Sequence, residues 1–238
     1  MSEIRKVSVV IPAYNEEATI EQIIAKVRAA DVCGLELEIV VVDDGSKDRT
    51  RAILEKMPGI KYIAHERNRG KGGAVKTGFA TASGQIVMIQ DADLEYDPKD
   101  YPALIKPILN GADAVMGSRF AYERPTFFSG PNRSPFFSHY IGNILITGLT
   151  NLLYANAATD YYACYKAFRK SVIDSIAIES DGFQYDNELL CKLLRRGVKI
   201  VEVPVVYRPR SYKDGKKINW TDGVAIIWTI VKWRFKGF

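Results

Sequence analysis

The stretch IVMIQDAD, residues 86–93, decides the fold. Its first four residues are apolar and rich in β-branched side chains, and they follow Ser83-Gly84. A short apolar run of this kind is typical of a buried strand. Asp91 and Asp93 therefore lie where a strand ends, and in open α/β sheets ligands bind outside the carboxyl ends of the strands.

Asp91 and Asp93 allow two interpretations. Residues two apart in an extended segment point the same way, and Mg²⁺ sites typically use one or two carboxylates together with substrate phosphates. Asp is also a common turn residue, so an Asp-rich turn that closes a strand is the alternative. Other parts of the chain are needed to choose between the two.

Short apolar runs alternate with helical patterns along the first half of the chain. The predicted strands cover residues 7–12, 37–42, 60–63 and 86–89, and the predicted helices begin near Asn15, begin at Ser46 or Asp48, and span 72–83. Strands that alternate with helices over short connections are typical of βαβ units. We therefore predict an α/β fold with a mostly parallel sheet flanked by helices.

The second half of the chain is less regular. We predict helices at 101–109, 140–154 and 182–196, strands at 114–117 and 199–206, and loops at 121–138 and 208–219. Long loops inside compact domains are often lids or binding loops. We treat residues 1–238 as a single domain with a regular half, 1–120, and a loop-rich half, 121–238.

Composition sets wide limits on the partners. The chain has 238 residues and a net charge of +5, which suits anionic ligands, nucleic acid or an anionic membrane surface. The three cysteines lack CxxC spacing, which fits a reducing cytoplasm rather than a zinc or disulfide framework. No signal peptide and no run of ~20 apolar residues is visible. We expect a cytoplasmic protein whose His65 and His139 are structural or lie on the surface.

Three predicted strand ends carry polar or acidic side chains. They are PAYNE at 12–16, DDGS at 43–46 and DAD at 91–93. A parallel sheet places these ends along one edge. Acidic groups gathered there repel one another unless a cation or ligand donors compensate, which favours a site for a metal and a nucleotide. The same acidic crevice argues against nucleic acid as the partner.

A basic glycine loop, NRGKGG at 68–73, opens the helix before the Asp91 strand. Its glycines allow a close backbone approach, and Lys71 with the helix N-terminus would favour a phosphate. A flexible glycine turn is the alternative. Neither GxxxxGK[ST] nor GxGxxG after the first strand is present, so ordinary NTPase and dinucleotide chemistry are not supported.

Five motifs in order identify a family resemblance. VVIPAYNE, VVDDGSKDRT, NRGKGGAVKTGF, DADLEYDP and GSRF resemble the inverting family 2 glycosyltransferases of the Rossmann-like GT-A fold, and above all the dolichyl- and polyprenyl-phosphate sugar synthases. The likeness continues more weakly through DYYACYKAFRK and RPRSYKDGKKINWTDG. It implies a nucleotide-sugar-binding half, residues 1–120, and an acceptor half, 121–238, with a basic loop and a C-terminal amphipathic segment.

The resemblance also implies roles for individual residues. Contacts with the nucleotide sugar are implied for Pro12, Tyr14, Glu16, Asp43, Asp44, Lys71, Asp91, Arg210 and Lys216. Asp91 and Asp93 match the metal-binding DXD motif, so Mg²⁺ or Mn²⁺ is the expected cofactor. Glu95 stands where the mannose synthases have a metal-binding Gln, and we expect it as a third ligand. Arg119 and Arg133 resemble the arginines that bind the acceptor phosphate.

The acceptor decides what chemistry is needed. A lipid phosphate is already ionised, whereas a hydroxyl acceptor needs a general base. Asp160 is then the first candidate for that base and Glu188 the second. We expect a hexose to move from a UDP-glucose- or GDP-mannose-type donor to a polyprenyl phosphate. A saccharide or other hydroxyl acceptor, and a non-catalytic nucleotide-sugar-binding module, are the alternatives.

The terminal segment combines aromatic and aliphatic residues with Lys and Arg. This composition suits a helix at a membrane surface, although a helix packed on the domain with a basic outer face is equally compatible. Related enzymes often carry transmembrane helices after this point. Association with the cytoplasmic face of the membrane and the oligomeric state stay open.

Overall fold

The computed structural model describes residues 3–121, 137–208 and 220–238, with the backbone alone at 137–141 and 220–222. The elements follow in the order β1 (Lys6–Ala13), α1 (Ile20–Arg28), β2 (Glu36–Asp43), α2 (Thr50–Leu54), β3 (Lys61–Ala64), α3 (Lys71–Thr81), β4 (Ile86–Ile89), a 3₁₀ turn (Pro98–Asp100), α4 (Tyr101–Leu109), β5 (Ala114–Ser118), α5 (Phe137–Tyr154), β6 (Lys166–Arg169), α6 (Lys170–Asp174), α7 (Tyr185–Arg195), β7 (Ile200–Pro204) and α8 (Trp220–Phe235).

The strands form one sheet in the order β3-β2-β1-β4-β6-β5-β7. Strands β1 to β4 pair in parallel, as do β5 and β7, which confirms the predicted mostly parallel α/β sheet. The central strand β1 lies between β2 and β4. The chain continues from β1 to β2 and β3 on one side of it, and then returns to β4 on the other side. This is the position at which open α/β sheets form a crevice for ligands.

Strand β6 is the one strand of this sheet that the sequence did not predict. It pairs antiparallel with both β4 and β5, and Lys166 at its start lies opposite Ile89. The strand is four residues long and begins and ends with a charged side chain, so it lacks an apolar run. Its direction is what brings Lys166 to the edge of the sheet at which β4 ends.

Two predicted helices begin later than expected. Helix α1 starts at Ile20, because Asn15 has a positive φ of 54° and Glu16 instead begins a turn closed by the backbone of Thr19 and Ile20. Helix α2 starts at Thr50. Both starts leave a polar loop between the strand and its helix.

The core lies on both faces of the sheet. One face packs against α1 and α4, and the other packs against α3 and α7. Helix α3 lies very close to the sheet, since a Cβ on Gly78 would stand 2.2 Å from Val10 Cγ1. This contact helps to fix the start of α3 beside the ends of β1 and β4.

The C-terminal helix α8 packs on α7 and α5 through Ile226, Ile230 and the fully buried Trp233. The packed-helix interpretation of this segment is therefore confirmed for its inner face. Among the described residues, no helix is both long and apolar enough to cross a membrane.

Candidate functional site

The ends of β1 and β2 are joined side by side. Ala13 lies opposite Asp43 in the parallel register. The Asn15 amide donates to Ser46 Oγ over 3.0 Å, and the Lys47 amide donates to Asn15 Oδ1 over 2.8 Å. The predicted meeting of these two strand ends is confirmed. Pro12 and Tyr14 are partly exposed along this edge and Glu16 is buried in it.

Asp43 and Asp44 are both buried and both bind the protein itself. Asp43 Oδ1 accepts from the Ser46 amide over 2.9 Å, and Asp43 Oδ2 lies 3.2 Å from Arg51 Nε. Asp44 accepts from the Gly70 amide over 2.8 Å and lies 2.7 Å from the ring of His65. Asp44 thus anchors the glycine loop, and His65 is structural as expected. A contact of either aspartate with a nucleotide stays a prediction.

The glycines of the basic loop make a close contact within the protein, and binding of a phosphate there stays a prediction. Gly70 has a φ of 85°, and a Cβ there would lie 2.5 Å from the Asp181 carbonyl oxygen. A Cβ on Gly72 would lie 2.7 Å from the Ser180 carbonyl oxygen, and the Gly73 amide donates to the Asp181 carbonyl. The close backbone approach is therefore made by residues 180–181 of the same chain.

Lys71 and Asp91 form a partly exposed ion pair at the end of β4. Lys71 Nζ lies 2.6 Å from Asp91 Oδ1. Burial alone would lower the pKa of Lys71, but the Asp91 carboxylate raises it well above its usual value. Burial would raise the pKa of Asp91, and Lys71 together with a hydrogen bond from Cys164 holds it below its usual value. Both groups are charged, and Asp91 stays ionised at neutral pH.

The turn after Asp91 is connected to the segment that enters the basic loop. The Glu95 amide donates to Asp93 Oδ1 over 3.1 Å, and Leu94 has a positive φ of 63°. The Arg208 amide donates to the Glu95 carbonyl over 2.9 Å. The chain therefore enters the basic loop beside the DXD turn, although Arg210 and Lys216 themselves lie outside the described residues, as does Arg133.

Asp91, Asp93 and Glu95 do not form a three-ligand cluster. Within the described ranges, no three His, Cys, Asp or Glu side chains are grouped to hold one metal ion. Glu95 also raises the pKa of Tyr207, after the larger effect of burial, through its charge and a hydrogen bond. The arrangement therefore lends no support to Glu95 as a third metal ligand, and that role stays a prediction.

Arg119 and Asp160 form a second, buried ion pair at the end of β5. Arg119 Nε and Nη2 donate to the two oxygens of Asp160 over 2.7 and 2.9 Å. The Tyr162 amide donates to the same carboxylate. Burial would raise the pKa of Asp160, but Arg119 and these hydrogen bonds keep it below its usual value. A carboxylate held in this way is a weak base, so the geometry argues against Asp160 as the general base.

Glu188 is also unsuited to act as a base. Its two oxygens accept from the amides of Glu179 and Ser180 over 2.7 and 2.8 Å, and Lys192 Nζ lies 2.6 Å away. Burial raises the pKa of Glu188, but these donors outweigh burial and lower it. The carboxylate holds the loop before α7 in place.

A third ion pair, Lys166–Asp186, was missed by sequence reasoning. Lys166 is fully buried, and its Nζ lies 2.7 Å from Asp186 Oδ2 and 2.5 Å from the Ala163 carbonyl. Burial raises the pKa of Asp186 above its usual value despite Lys166. The charge of Lys166 also acts on Asp91, so the two pairs are neighbours. A lysine within a short strand pattern was the available signal, because buried lysines are rare unless paired.

The sequence of this chain also matches a known protein family. Residues 8–177 match the model of the family described as Glycosyl transferase family 2. The chain belongs to this family.

Two curated relatives carry the comparison further. The chain is 33% identical over 236 residues to a dolichol-phosphate mannosyltransferase of Pyrococcus furiosus, covering 96% of this chain and 64% of that protein. It is 31% identical over 219 residues to an undecaprenyl-phosphate 4-deoxy-4-formamido-L-arabinose transferase of Edwardsiella ictaluri, covering 90% and 63%. This family 2 chain thus spans less than two thirds of the length of either relative.

A solved structure supports the fold. The glucosyl-3-phosphoglycerate synthase of Mycobacterium tuberculosis, in complex with Mn²⁺, UDP and phosphoglyceric acid, superposes with a TM-score of 0.73. It is 24% identical, and the match covers 98% of this chain and 80% of that one. The predicted GT-A fold is confirmed. In this family 2 domain, the carboxylates predicted at three strand ends meet along one edge of the sheet.

Proposed function

We propose that this family 2 domain transfers a hexose from a nucleotide sugar of the UDP-glucose or GDP-mannose type to a polyprenyl phosphate. The names of both relatives describe transfer to or from a lipid phosphate of this kind. The observation that carries the proposal is the Arg119–Asp160 pair. It offers a fixed cation for an acceptor phosphate, and it leaves Asp160 a weak base for a hydroxyl acceptor.

Asp91 and Asp93 would hold the expected Mg²⁺ or Mn²⁺. Their carboxylates suit a hard divalent cation that also binds substrate phosphates. The low pKa of Asp91 keeps it ionised, as a metal ligand must be. When bound, the metal would supply positive charge that stabilises the negative charge on the departing diphosphate. The fold neighbour was solved in complex with Mn²⁺ and UDP, which supports a divalent cation in this chain as well.

The reaction proceeds by displacement with inversion. A phosphate oxygen of the acceptor attacks the anomeric carbon while the bond from that carbon to the diphosphate oxygen breaks. The nucleoside diphosphate leaves with the electron pair, so negative charge grows on the leaving oxygen. Lys71 lies close to Asp91 and can add a positive charge there, and Arg210 and Lys216 are proposed to contribute from the basic loop.

Arg119 positions the acceptor. A guanidinium has five N–H groups, and Asp160 takes two of them, so the planar fork can still bind an anion. The rings of Phe120 and Tyr207 lie 5.2 and 5.1 Å from the guanidinium carbon and hold it in place. Arg133 is proposed as the second arginine for the same phosphate. Because the phosphate is already ionised, the step needs no general base.

One observation favours a second candidate, transfer to a hydroxyl acceptor. Asp186 has a raised pKa, and its Oδ1 is buried with no hydrogen-bond partner among the described residues. A carboxylate of raised pKa is a better base than Asp160 or Glu188. With this acceptor, Asp186→Asn would abolish transfer. With a lipid phosphate the same change would leave transfer largely intact.

We also propose that the outer surface of α5 and α8 contacts a membrane. Leu152 is 80% exposed, Trp228 66% and Phe235 76%. Two basic residues at the end of α8, Lys232 and Arg234, lie close to Trp228 and Phe235 in the sequence. Trp228→Ser should weaken sedimentation with anionic vesicles. Equal sedimentation of the variant and the wild type would exclude this surface.

The acceptor is the decisive test of the function. UDP- and GDP-sugars with Mg²⁺ or Mn²⁺ are first screened by thermal shift, because a bound donor stabilises the fold by mass action. The donor that stabilises the protein is then supplied, radiolabelled, with undecaprenyl phosphate. We expect label in a lipid extract that mild acid releases. If no label is found in the lipid extract, the proposed function is wrong. Donor binding without any turnover would favour the binding-module alternative.

A further inference from the structure

An open groove lies between helix α5 and the end of strand β5. It encloses a cavity of about 280 Å³. Its walls include Phe120, Ile144, Thr147, Gly148, Asn151 and Thr159. The cavity is at the lower limit of the volumes that bind small molecules, so it suits part of a ligand rather than a whole one.

One end of the groove is next to the cation of the proposed acceptor site. Phe120 follows Arg119 in the chain and its ring lies 5.2 Å from the guanidinium carbon. Thr159, which also lines the groove, precedes Asp160, the partner of that arginine. A ligand with its anionic head on Arg119 would therefore extend into this groove.

The other wall leads to apolar side chains on the outside of α5. Ile144 lines the groove and is 44% exposed, and the neighbouring Leu145 is 64% exposed. Exposed aliphatic side chains are common singly, but these two adjoin a groove that starts at a buried cation. The surface therefore changes from cationic to apolar along the groove.

Two of the polar side chains in the walls, Asn151 and Thr159, are bonded within the protein, and a third, Thr147, donates to Asn143 Oδ1 over 3.5 Å. Asn151 donates to the Ala158 carbonyl over 2.8 Å and accepts from the Ala158 amide over 3.1 Å. Thr159 Oγ1 lies 2.7 Å from Ser118 Oγ and donates to Glu202 over 2.8 Å. Such walls offer a ligand van der Waals contact rather than new hydrogen bonds, which disfavours a sugar or a nucleotide in the groove.

We propose that this groove binds the first isoprene units of the lipid phosphate whose head group is held by Arg119. The proposal rests on the proposed function and adds the place of the lipid chain. The anionic head matches the arginine, and the apolar chain matches Ile144, Gly148 and the ring of Phe120 in the walls, where Asn151 and Thr159 already bond within the protein. Burial of each methylene-sized group contributes about 0.8 kcal/mol, so a short length of chain changes affinity measurably.

Gly148 provides the test. A Cβ at Gly148 meets no described atom within 4 Å, so a larger side chain there can enter the groove without a clash. Gly142 is also in α5 and is equally open, but it does not line the cavity. Gly148→Leu is therefore compared with Gly142→Leu. Farnesyl phosphate and the much shorter dimethylallyl phosphate serve as acceptors with the same donor.

We expect Gly148→Leu to raise KM for farnesyl phosphate about tenfold, and to change KM for dimethylallyl phosphate and for the donor much less. Gly142→Leu should resemble the wild type with both acceptors. An unchanged KM of Gly148→Leu for farnesyl phosphate would overturn the groove while leaving the proposed function intact. A wild type that transfers to no prenyl phosphate would instead overturn the proposed function.

A second variant covers the case in which Gly148→Leu fails to fold. Ile144 is partly exposed, so Ile144→Gln should keep the melting temperature close to that of the wild type. It should still raise KM for farnesyl phosphate several-fold, because it replaces apolar wall with an amide. A variant that folds and keeps the wild-type KM would count against the groove.

Discussion

The two ion pairs at the ends of β4 and β5 use different chemistry for different tasks. Lys71 is a flexible point charge that meets one oxygen of Asp91, and both side chains keep some exposure. Arg119 is a planar fork that meets both oxygens of Asp160, which is completely buried. A point charge can yield its place to a metal ion, whereas a bidentate pair is a fixed part of the protein. In the proposed function, the pair on the donor side is therefore exchangeable and the pair on the acceptor side is preformed.

The largest expected effect is on catalysis at the exchangeable side. Asp93→Ala should lower transfer at least about a thousandfold, which corresponds to ~4 kcal/mol, because the metal loses one of its two carboxylates. The measurement is kcat with saturating donor and Mn²⁺. Asp97→Ala, in the same turn but paired with Lys26 outside the DXD motif, is the control. Near-normal turnover of Asp93→Ala would defeat the metal assignment.

The next effect is on stability at the preformed side. Asp160→Asn should lower the free energy of unfolding by about 3 kcal/mol, because the buried guanidinium of Arg119 loses its counter-charge. Urea unfolding measures the change. Asp113→Asn is the matched control, because Asp113 pairs with Arg169 but is 53% exposed, and a loss below about 1 kcal/mol is expected. Equal losses in the two variants would contradict a larger stabilising effect of the Asp160 pair.

A smaller stability effect should be reversible. Lys71→Met should lower the free energy of unfolding by about 2 kcal/mol without metal, since Asp91 loses its partner. Added Mn²⁺ should recover most of this loss, because the cation replaces the lysine beside Asp91. Lys76→Met removes the more exposed Lys76–Asp181 pair and should show little loss and no Mn²⁺ response. A loss in Lys71→Met that Mn²⁺ leaves unchanged would contradict an exchangeable pair.

The smallest expected effect distinguishes the fork from the point charge. Arg119→Lys keeps the positive charge but cannot bind Asp160 and a phosphate in the same planar geometry. We expect KM for the lipid phosphate to rise about tenfold, or ~1.4 kcal/mol, with little change in KM for the donor. Steady-state kinetics with each substrate varied in turn measures this. Equal weakening of donor and acceptor would move Arg119 to the donor site.

Much of the parallel half of the fold was predictable. Strand β4 and helix α4 have the predicted bounds, β1 and β2 extend one residue further at each end, and β5 extends one residue further at its C-terminal end. Their apolar runs are continuous because both faces of the sheet are covered. The strand ends that carry Asp43 and Asp91 were therefore placed correctly at one edge.

The errors share a physical cause. Strand β6 has no apolar periodicity, because Lys166 is buried through its bond to Asp186 rather than through hydrophobicity. The glycines at 70 and 72 make room for the backbone at 180–181, a contact between residues more than a hundred positions apart that the sequence did not predict. The pairing of Asp160 with Arg119, which argues against Asp160 as a base, was likewise not predicted. None of these partners can be deduced from local sequence.

The sequence by itself determined the α/β class, the alternation of strands and helices and the acidic strand ends, because hydrophobic periodicity and turn chemistry are local properties. Only the tertiary structure decided which charges are paired, which are buried and in which direction β6 runs. Pairing and burial depend on which distant segments meet, and they set the pKa of a carboxylate. Asp91, Asp160 and Asp186 are the same residue type, but their surroundings differ. For this reason Asp91 is the candidate metal ligand, Asp160 the fixed counter-ion of Arg119, and Asp186 the candidate base.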